Sequence, residues 1–157
     1  MRLFLLPPST SRTFETENTM KTLHVNLEVK NIEETVNFYN ALFDSEPTVR
    51  KDDYAKWLLD DPRVNFAISL GGGNLGLRHL GIQAENESEL KEIYDNIENT
   101  RADVKEEGHT VCCYAQSEKS WVKDPQGVEW EAFHTYGESD VNKAETTECC
   151  DDTCCPS

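Results

Sequence analysis

The sequence predicts an α+β fold: two βαβββ modules whose strands build one cupped sheet. Three observations carry this prediction. A short pattern occurs twice, an amphipathic helix follows each copy, and short β-like runs follow each helix. The first copy is Leu23-His24-Val25-Asn26-Leu27 and the second is Arg78-His79-Leu80-Gly81-Ile82, with their histidines 55 residues apart. Seven residues after each histidine stands an asparagine, Asn31 and Asn86, and a glutamate follows three positions on, Glu34 and Glu89. That spacing marks a helix start, because the Asn side chain accepts from a backbone N–H that has no partner inside the helix.

The helices and strands follow in order. Ile32, Val36, Tyr39, Leu42 and Phe43 form the apolar stripe of the first helix, and Leu90, Ile93, Tyr94 and Ile97 that of the second. Tyr39 and Tyr94 occupy equivalent places in the two copies. The β-like runs cover roughly 47–51, 54–59 and 64–70 in the first half, and roughly 109–115, 118–123 and 128–136 in the second. Asp61-Pro62, Gly71-Gly72-Gly73 and Asp124-Pro125-Gln126-Gly127 punctuate them as turns. The expected organisation is a disordered Ser/Thr/Pro-rich leader over 1–19, one domain over 20–137 (modules 20–73 and 76–137), and an acidic Cys-rich tail over 138–157.

Composition narrows the function classes. A chain of 157 residues has room for one core. A formal net charge of -15 argues against nucleic acid and anionic membrane surfaces as partners, since both need basic patches. No apolar run approaches the ~18 residues of a membrane span, and Leu3–Leu6 is shorter than the ~7 residues of a minimal signal-peptide core. The expected location is the cytoplasm. The six cysteines fall in adjacent pairs: Cys112 and Cys113, Cys149 and Cys150, Cys154 and Cys155. Neighbours bridge only with strain, so the pairs read as reduced thiols suited to soft, thiophilic ions.

Strand alternation selects the candidate metal ligands. In the first strand Leu23, Val25, Leu27 and Val29 face the helix, and His24, Asn26 and Glu28 face the other way. In the first strand of the second half, Leu80 and Ile82 face the helix and His79 lies opposite. In the last strand Val128, Trp130 and Ala132 are the apolar side, opposite Glu129, Glu131 and Phe133. His24, His79 and Glu131 therefore lie on faces that a paired sheet can wrap into one cavity. Two imidazoles and a carboxylate make a set favoured by ferrous iron, and Zn, Mn and Ni can also occupy it. The alternative is three unrelated side chains on half-exposed strands.

The βαβββ repeat, the paired histidines, the Asp-Pro-x-Gly turn and Val128-Glu129-Trp130-Glu131 resemble the vicinal oxygen chelate superfamily over about 20–137. That superfamily includes glyoxalases, extradiol dioxygenases and antibiotic-resistance proteins. More narrowly, Cys112-Cys113-Tyr114-Ala115, Lys119, Trp121-Val122 and Trp130-Glu131 resemble the carbon–arsenic lyases and the related cadmium-induced proteins. The resemblance implies a non-haem Fe(II) dioxygenase that takes dioxygen and a trivalent organoarsenical such as methylarsenite and releases arsenite. It implies His24, His79 and Glu131 as metal ligands, and Cys112 and Cys113 as the arsenic thiolates. Some members carry Gln at the position of His24. A homodimer is compatible with such scaffolds.

His109 and Lys119 flank the cysteine pair and could lower a thiol pKa. Each could equally be an ordinary exposed side chain, and Cys112–Cys113 a buried structural pair. Lys119 matches the family pattern and is expected to act with the pair in catalysis. His134 lies on the face opposite Glu131. Cys149, Cys150, Cys154 and Cys155 place four thiols in seven residues, a possible accessory metal or arsenic site. Two other functions fit the same residues. One is a non-enzymatic thiol protein that binds cadmium or arsenite. The other is a glyoxalase or thiol transferase using the same ligands with another metal, although neither chemistry needs Cys112–Cys113.

Overall fold

The computed structural model describes residues 20–112 and 114–138. The chain runs β1 (Thr22–Val29), α1 (Ile32–Phe43), β2 (Val49–Arg50), β3 (Tyr54–Asp60) and β4 (Arg63–Leu70). It then repeats the order as β5 (Gly76–Ala84), α2 (Glu87–Thr100), β6 (Val104–Cys112), β7 (Ala115–Lys123) and β8 (Glu129–Glu138). The expected α+β fold of two βαβββ units is present. No helix among the described residues is long and apolar enough to cross a membrane.

The strands join in one sheet of order β2-β3-β4-β1-β5-β8-β7-β6. Within each unit the first strand pairs parallel with the last, β1 with β4 and β5 with β8. The two units meet where β1 and β5 pair antiparallel. Each module thus contributes a half-sheet, and the first strands of both lie at the centre.

Both helices start as their sequences predict. The Asn31 side chain accepts from the Glu34 N–H at 3.0 Å, and the Asn86 side chain from the Glu89 N–H at 2.9 Å. Glu89 reaches back past the cap to accept from the Glu85 N–H at 2.9 Å. Asp44 and Arg101 end the helices in the left-handed region.

Each helix covers its own half of one sheet face. Ile32 and Val36 pack with Trp57, Phe66 and Ile68, and Tyr39 and Phe43 close over them. Leu90, Ile93 and Ile97 pack with Ala84 and Ala132. Trp57 Nε1–H is satisfied within this core, donating to the Asn40 side chain and the Ser45 carbonyl, both at 3.1 Å.

Four expectations need correction. The strand expected at 109–115 begins at Val104 and ends at Cys112, because Tyr114 has a φ of 61° and turns the chain. The segment Val-Lys-Glu-Glu-Gly lacks apolar alternation and carries a bulge between Glu106 and Gly108, so its strand signal is weak. The strand expected at 47–51 shrinks to Val49–Arg50, and β7 starts at Ala115 rather than 118. Leu23, assigned to the covered face, is 46% exposed, since α1 packs over β3 and β4 rather than over the start of β1.

Ile68 is fully buried beneath α1. Ile68→Ala is expected to cost about 2–5 kcal/mol, read as a lower urea midpoint at unchanged slope. Leu58→Ala, at a 48% exposed position, should leave the midpoint nearly unchanged.

Candidate metal centre

The face opposite the helices forms a cavity of about 620 Å³. At its floor lie His24 from β1, His79 from β5 and Glu131 from β8, each less than 8% exposed, at 6%, 7% and 4% respectively. The register explains why they meet. His24 lies opposite Gly81 on β5, and Gly81 lies opposite Glu131 on β8. His79 lies opposite Asn26, two residues beyond His24.

Gly81 makes this approach possible. A Cβ on it would stand 2.7 Å from the Glu131 carbonyl oxygen and 3.3 Å from the His24 Cβ. The first contact is shorter than a Cβ tolerates and is with backbone, and the second is tight, so any residue other than glycine forces the strands to shift. The sequence carried a trace of this: Gly81 stands where the first repeat has Asn26, and an isolated strand glycine often marks a close approach.

The three donor atoms converge. The Nε2 atoms of His24 and His79 are 3.2 Å apart. Glu131 Oε2 lies 3.4 Å from His79 Nε2 and 3.8 Å from His24 Nε2. One cation bonded to each at ~2.1 Å requires separations of about 3.0–3.4 Å. The first two distances meet that requirement, and the third needs only a small side-chain adjustment. Among the described residues this trio is the group of ligating side chains close enough to hold a metal.

Neighbouring groups set the protonation of His24 and Glu131. His24 Nδ1–H donates to the Asn65 carbonyl at 2.9 Å, because a carbonyl can only accept. Nε2 is thereby left with its lone pair toward the other donors. Burial pushes the His24 pKa down to about 4, so the ring is neutral at pH 7. Burial alone would raise the Glu131 carboxyl. The His79 hydrogen bond and the positive charge of Lys119 outweigh it and hold the pKa at about 2. Lys119 Nζ donates to Glu131 Oε1 at 2.5 Å, so one carboxylate oxygen is occupied and the other faces the imidazoles. Trp121 meets the His79 ring edge-on at 5.0 Å, and Phe133 meets His24 likewise at 5.3 Å.

The remaining expected residues fall as follows. Cys112 ends β6 in register with Ala115, which lines the cavity. Cys113 and the tail residues Cys149, Cys150, Cys154 and Cys155 lie outside the described residues. Lys119 is buried beside Glu131. His109 is exposed, its ring 5.5 Å from Tyr136 and outside the cavity lining. His134 Nδ1–H donates to the Ala84 carbonyl at 3.0 Å, on the helix side. The Asn65 carbonyl and Gly81 went unanticipated; a backbone acceptor leaves no signature in a sequence.

A family model described as the Glyoxalase/Bleomycin resistance protein/Dioxygenase superfamily matches residues 21–132. The chain belongs to that superfamily. Within it, the chain is similar to the trivalent organoarsenical cleaving enzyme of Bacillus sp. (strain MD1), at 40% identity over 83% of each chain. It is 36% identical to a probable trivalent organoarsenical cleaving enzyme of Bacillus subtilis, over 83% of this chain and 91% of that one. A cadmium-induced protein of Mycobacterium bovis is 29% identical over 84% of this chain and 94% of its own length. The Mn(II)-bound glyoxalase of Novosphingobium aromaticivorans shares the fold, with a TM-score of 0.54 at 15% identity over 75% of this chain and 40% of that one.

Two outcomes are expected of this centre. Gly81→Ala forces β5 away from Glu131 and should weaken divalent-metal binding at least about tenfold, measured by Mn(II) titration, whereas Gly72→Ala, with open space around its Cβ, should not. Acid should destabilise the metal-free protein. Below about pH 6.5 the unfolded chain protonates His24 while the folded chain holds it neutral down to about 4. Glu131 adds a second loss between its ordinary 4.5 and about 2. Urea unfolding across this range should show a shallower decline for His24→Gln.

Proposed function

We propose that this protein is an Fe(II)-dependent dioxygenase that cleaves the carbon–arsenic bond of trivalent organoarsenicals such as methylarsenite, releasing arsenite. The observation that carries the reading is the convergence of His24, His79 and Glu131 on a cavity whose lining includes Ala115, the register partner of Cys112. The names of the two Bacillus relatives support it.

His24, His79 and Glu131 are the residues that would hold the metal in this reading, a donor set that suits ferrous iron. Bound ferrous iron supplies the activation of dioxygen. Cys112 and Cys113 hold the arsenic, because two thiolates chelate a soft trivalent centre far better than carboxylates do. Holding arsenic by two bonds orients its carbon substituent and makes the encounter effectively intramolecular. Lys119 keeps one oxygen of Glu131 occupied and adds positive charge to the cavity, which favours thiolate over thiol. Free thiols of this kind suit a reducing compartment, the cytoplasm.

The tail has a place in the same reading. β8 ends at Glu138, in register with Ala115, so the chain leaves the sheet beside the β6–β7 turn. The stretch from Glu138 to Cys149 reaches at most ~40 Å when extended. In this reading Cys149, Cys150, Cys154 and Cys155 take up released arsenite by thiol exchange.

The test is methylarsenite turnover by the Fe(II)-loaded protein in air and under argon. Arsenite release with oxygen consumption in air alone is expected, and methylarsenite left intact in air ends the reading. Cys112→Ser should lower turnover at least about a hundredfold while Fe(II) affinity stays within about twofold. Arsenic or cadmium binding without turnover that survives loss of both His24 and His79 would favour thiol sequestration instead.

A further inference from the structure

The β6–β7 turn is tied to the opposite half of the sheet. β3 and β7 stand five strand spacings apart in the sheet order, roughly 24 Å in a flat sheet at ~4.8 Å per spacing. Yet the Tyr114 hydroxyl donates to Asp53 Oδ1 at 2.5 Å, across 61 residues of chain. The Tyr114 ring lies 5.8 Å from the ring of Tyr54, the first residue of β3. Lys51 Nζ sits 5.1 Å over the same ring. One side chain of the second module therefore makes three contacts with the first, and the sheet curls enough to bring the β6–β7 turn against the start of β3.

Tyr114 is in the left-handed region, with a φ of 61°. A bulky residue adopts that conformation when its surroundings hold it there. The hydrogen bond, the ring pair and the cation over the ring are three such restraints. Cys112 and Cys113 directly precede Tyr114 in the chain, and Ala115 directly after it lines the cavity.

We propose that Tyr114 and Asp53 form a clasp that positions the β6–β7 turn, between Cys112 and Ala115, relative to His24, His79 and Glu131. Tyr114 is here a positioning residue: it touches neither metal nor substrate and acts through the backbone it holds. The inference rests on the reading that Cys112–Cys113 bind the arsenical. A dithiol on a loose turn binds arsenic equally well but presents its organic group over a wider range of positions.

The experiment uses the full chain with the four tail cysteines replaced by serine, so that methylarsenite binds at Cys112–Cys113 alone. The protein is loaded with Co(II), whose visible absorption responds to a molecule arriving beside it. Wild type and Tyr114→Phe are both expected to bind one equivalent of methylarsenite and to bind Co(II) equally well. The Co(II) spectrum should change on arsenical binding in wild type and change little in Tyr114→Phe. With Fe(II), kcat should fall about ten- to a hundredfold in Tyr114→Phe with KM nearly unchanged.

Asp53→Asn should behave alike, and the double variant should be no worse than Tyr114→Phe alone. Tyr136→Phe removes another tyrosine–carboxylate bond, to Glu118 at 2.7 Å, and should leave both readouts at wild-type values. A Tyr114→Phe protein that keeps the spectral change and full turnover overturns the clasp and leaves the proposed reaction standing. Equal losses in Tyr114→Phe and Tyr136→Phe also overturn it. A wild type that shows the spectral change without cleaving methylarsenite removes the proposed reaction and leaves the clasp.

Discussion

The antiparallel pairing of β1 with β5 is the constraint on which the rest depends. It joins the modules and brings the equivalent histidines of the two repeats side by side. β8 enters the same arrangement through its parallel pairing with β5, and Gly81 stands between its two neighbours. Side-chain volume at that one position would separate His24 from Glu131. The centre is therefore a property of strand register, and the helices serve to hold that register by burying the opposite face.

Burial is distributed unexpectedly for a sheet with helices on one side. Central residues on the cavity face are polar and deeply buried, with Asn26 at 1% and Asn65 at 4% exposed. On the helix face, Leu23 of the same strand is 46% exposed. Burying polar groups is costly unless they are paired. The pairing here is partial: Asn26 donates to Ser69, Asn65 to Gln83, His24 to a backbone carbonyl and Lys119 to Glu131, while the buried Oδ1 atoms of Asn26 and Asn65 have no hydrogen-bond partner among the described residues. Without a metal, a neutral His24 and the Lys119–Glu131 pair limit the net charge at the floor. A divalent cation adds positive charge beside Lys119, which divides Glu131 between two positive partners.

The repeat was legible because it is written in local chemistry. Asn31 and Asn86 cap their helices as their spacing with Glu34 and Glu89 requires, and Val36 and Ile93 are buried as their periodicity requires. Alternation placed His24, His79 and Glu131 on the same side of their strands, where they lie. Illegible features were of two kinds. Val104–Gly108 forms strand without apolar alternation, held by pairing with β7 rather than by its own preference. The Asn65 carbonyl and the Tyr114–Asp53 bond join atoms 41 and 61 residues apart, and no local pattern encodes such partners.

The sequence by itself determined the two βαβββ units, the caps that start their helices, and the three strand faces that carry two imidazoles and a carboxylate. These follow from periodicity and from short-range hydrogen bonding, which depend on neighbours in the chain. Only the tertiary structure decided that the three donors lie within 4.8 Å of one another, that Lys119 binds Glu131, and that the cysteine-bearing turn is tied back to β3. Those outcomes depend on register and sheet curvature. Both are set by the sum of all strand pairings, and no single segment contains that sum.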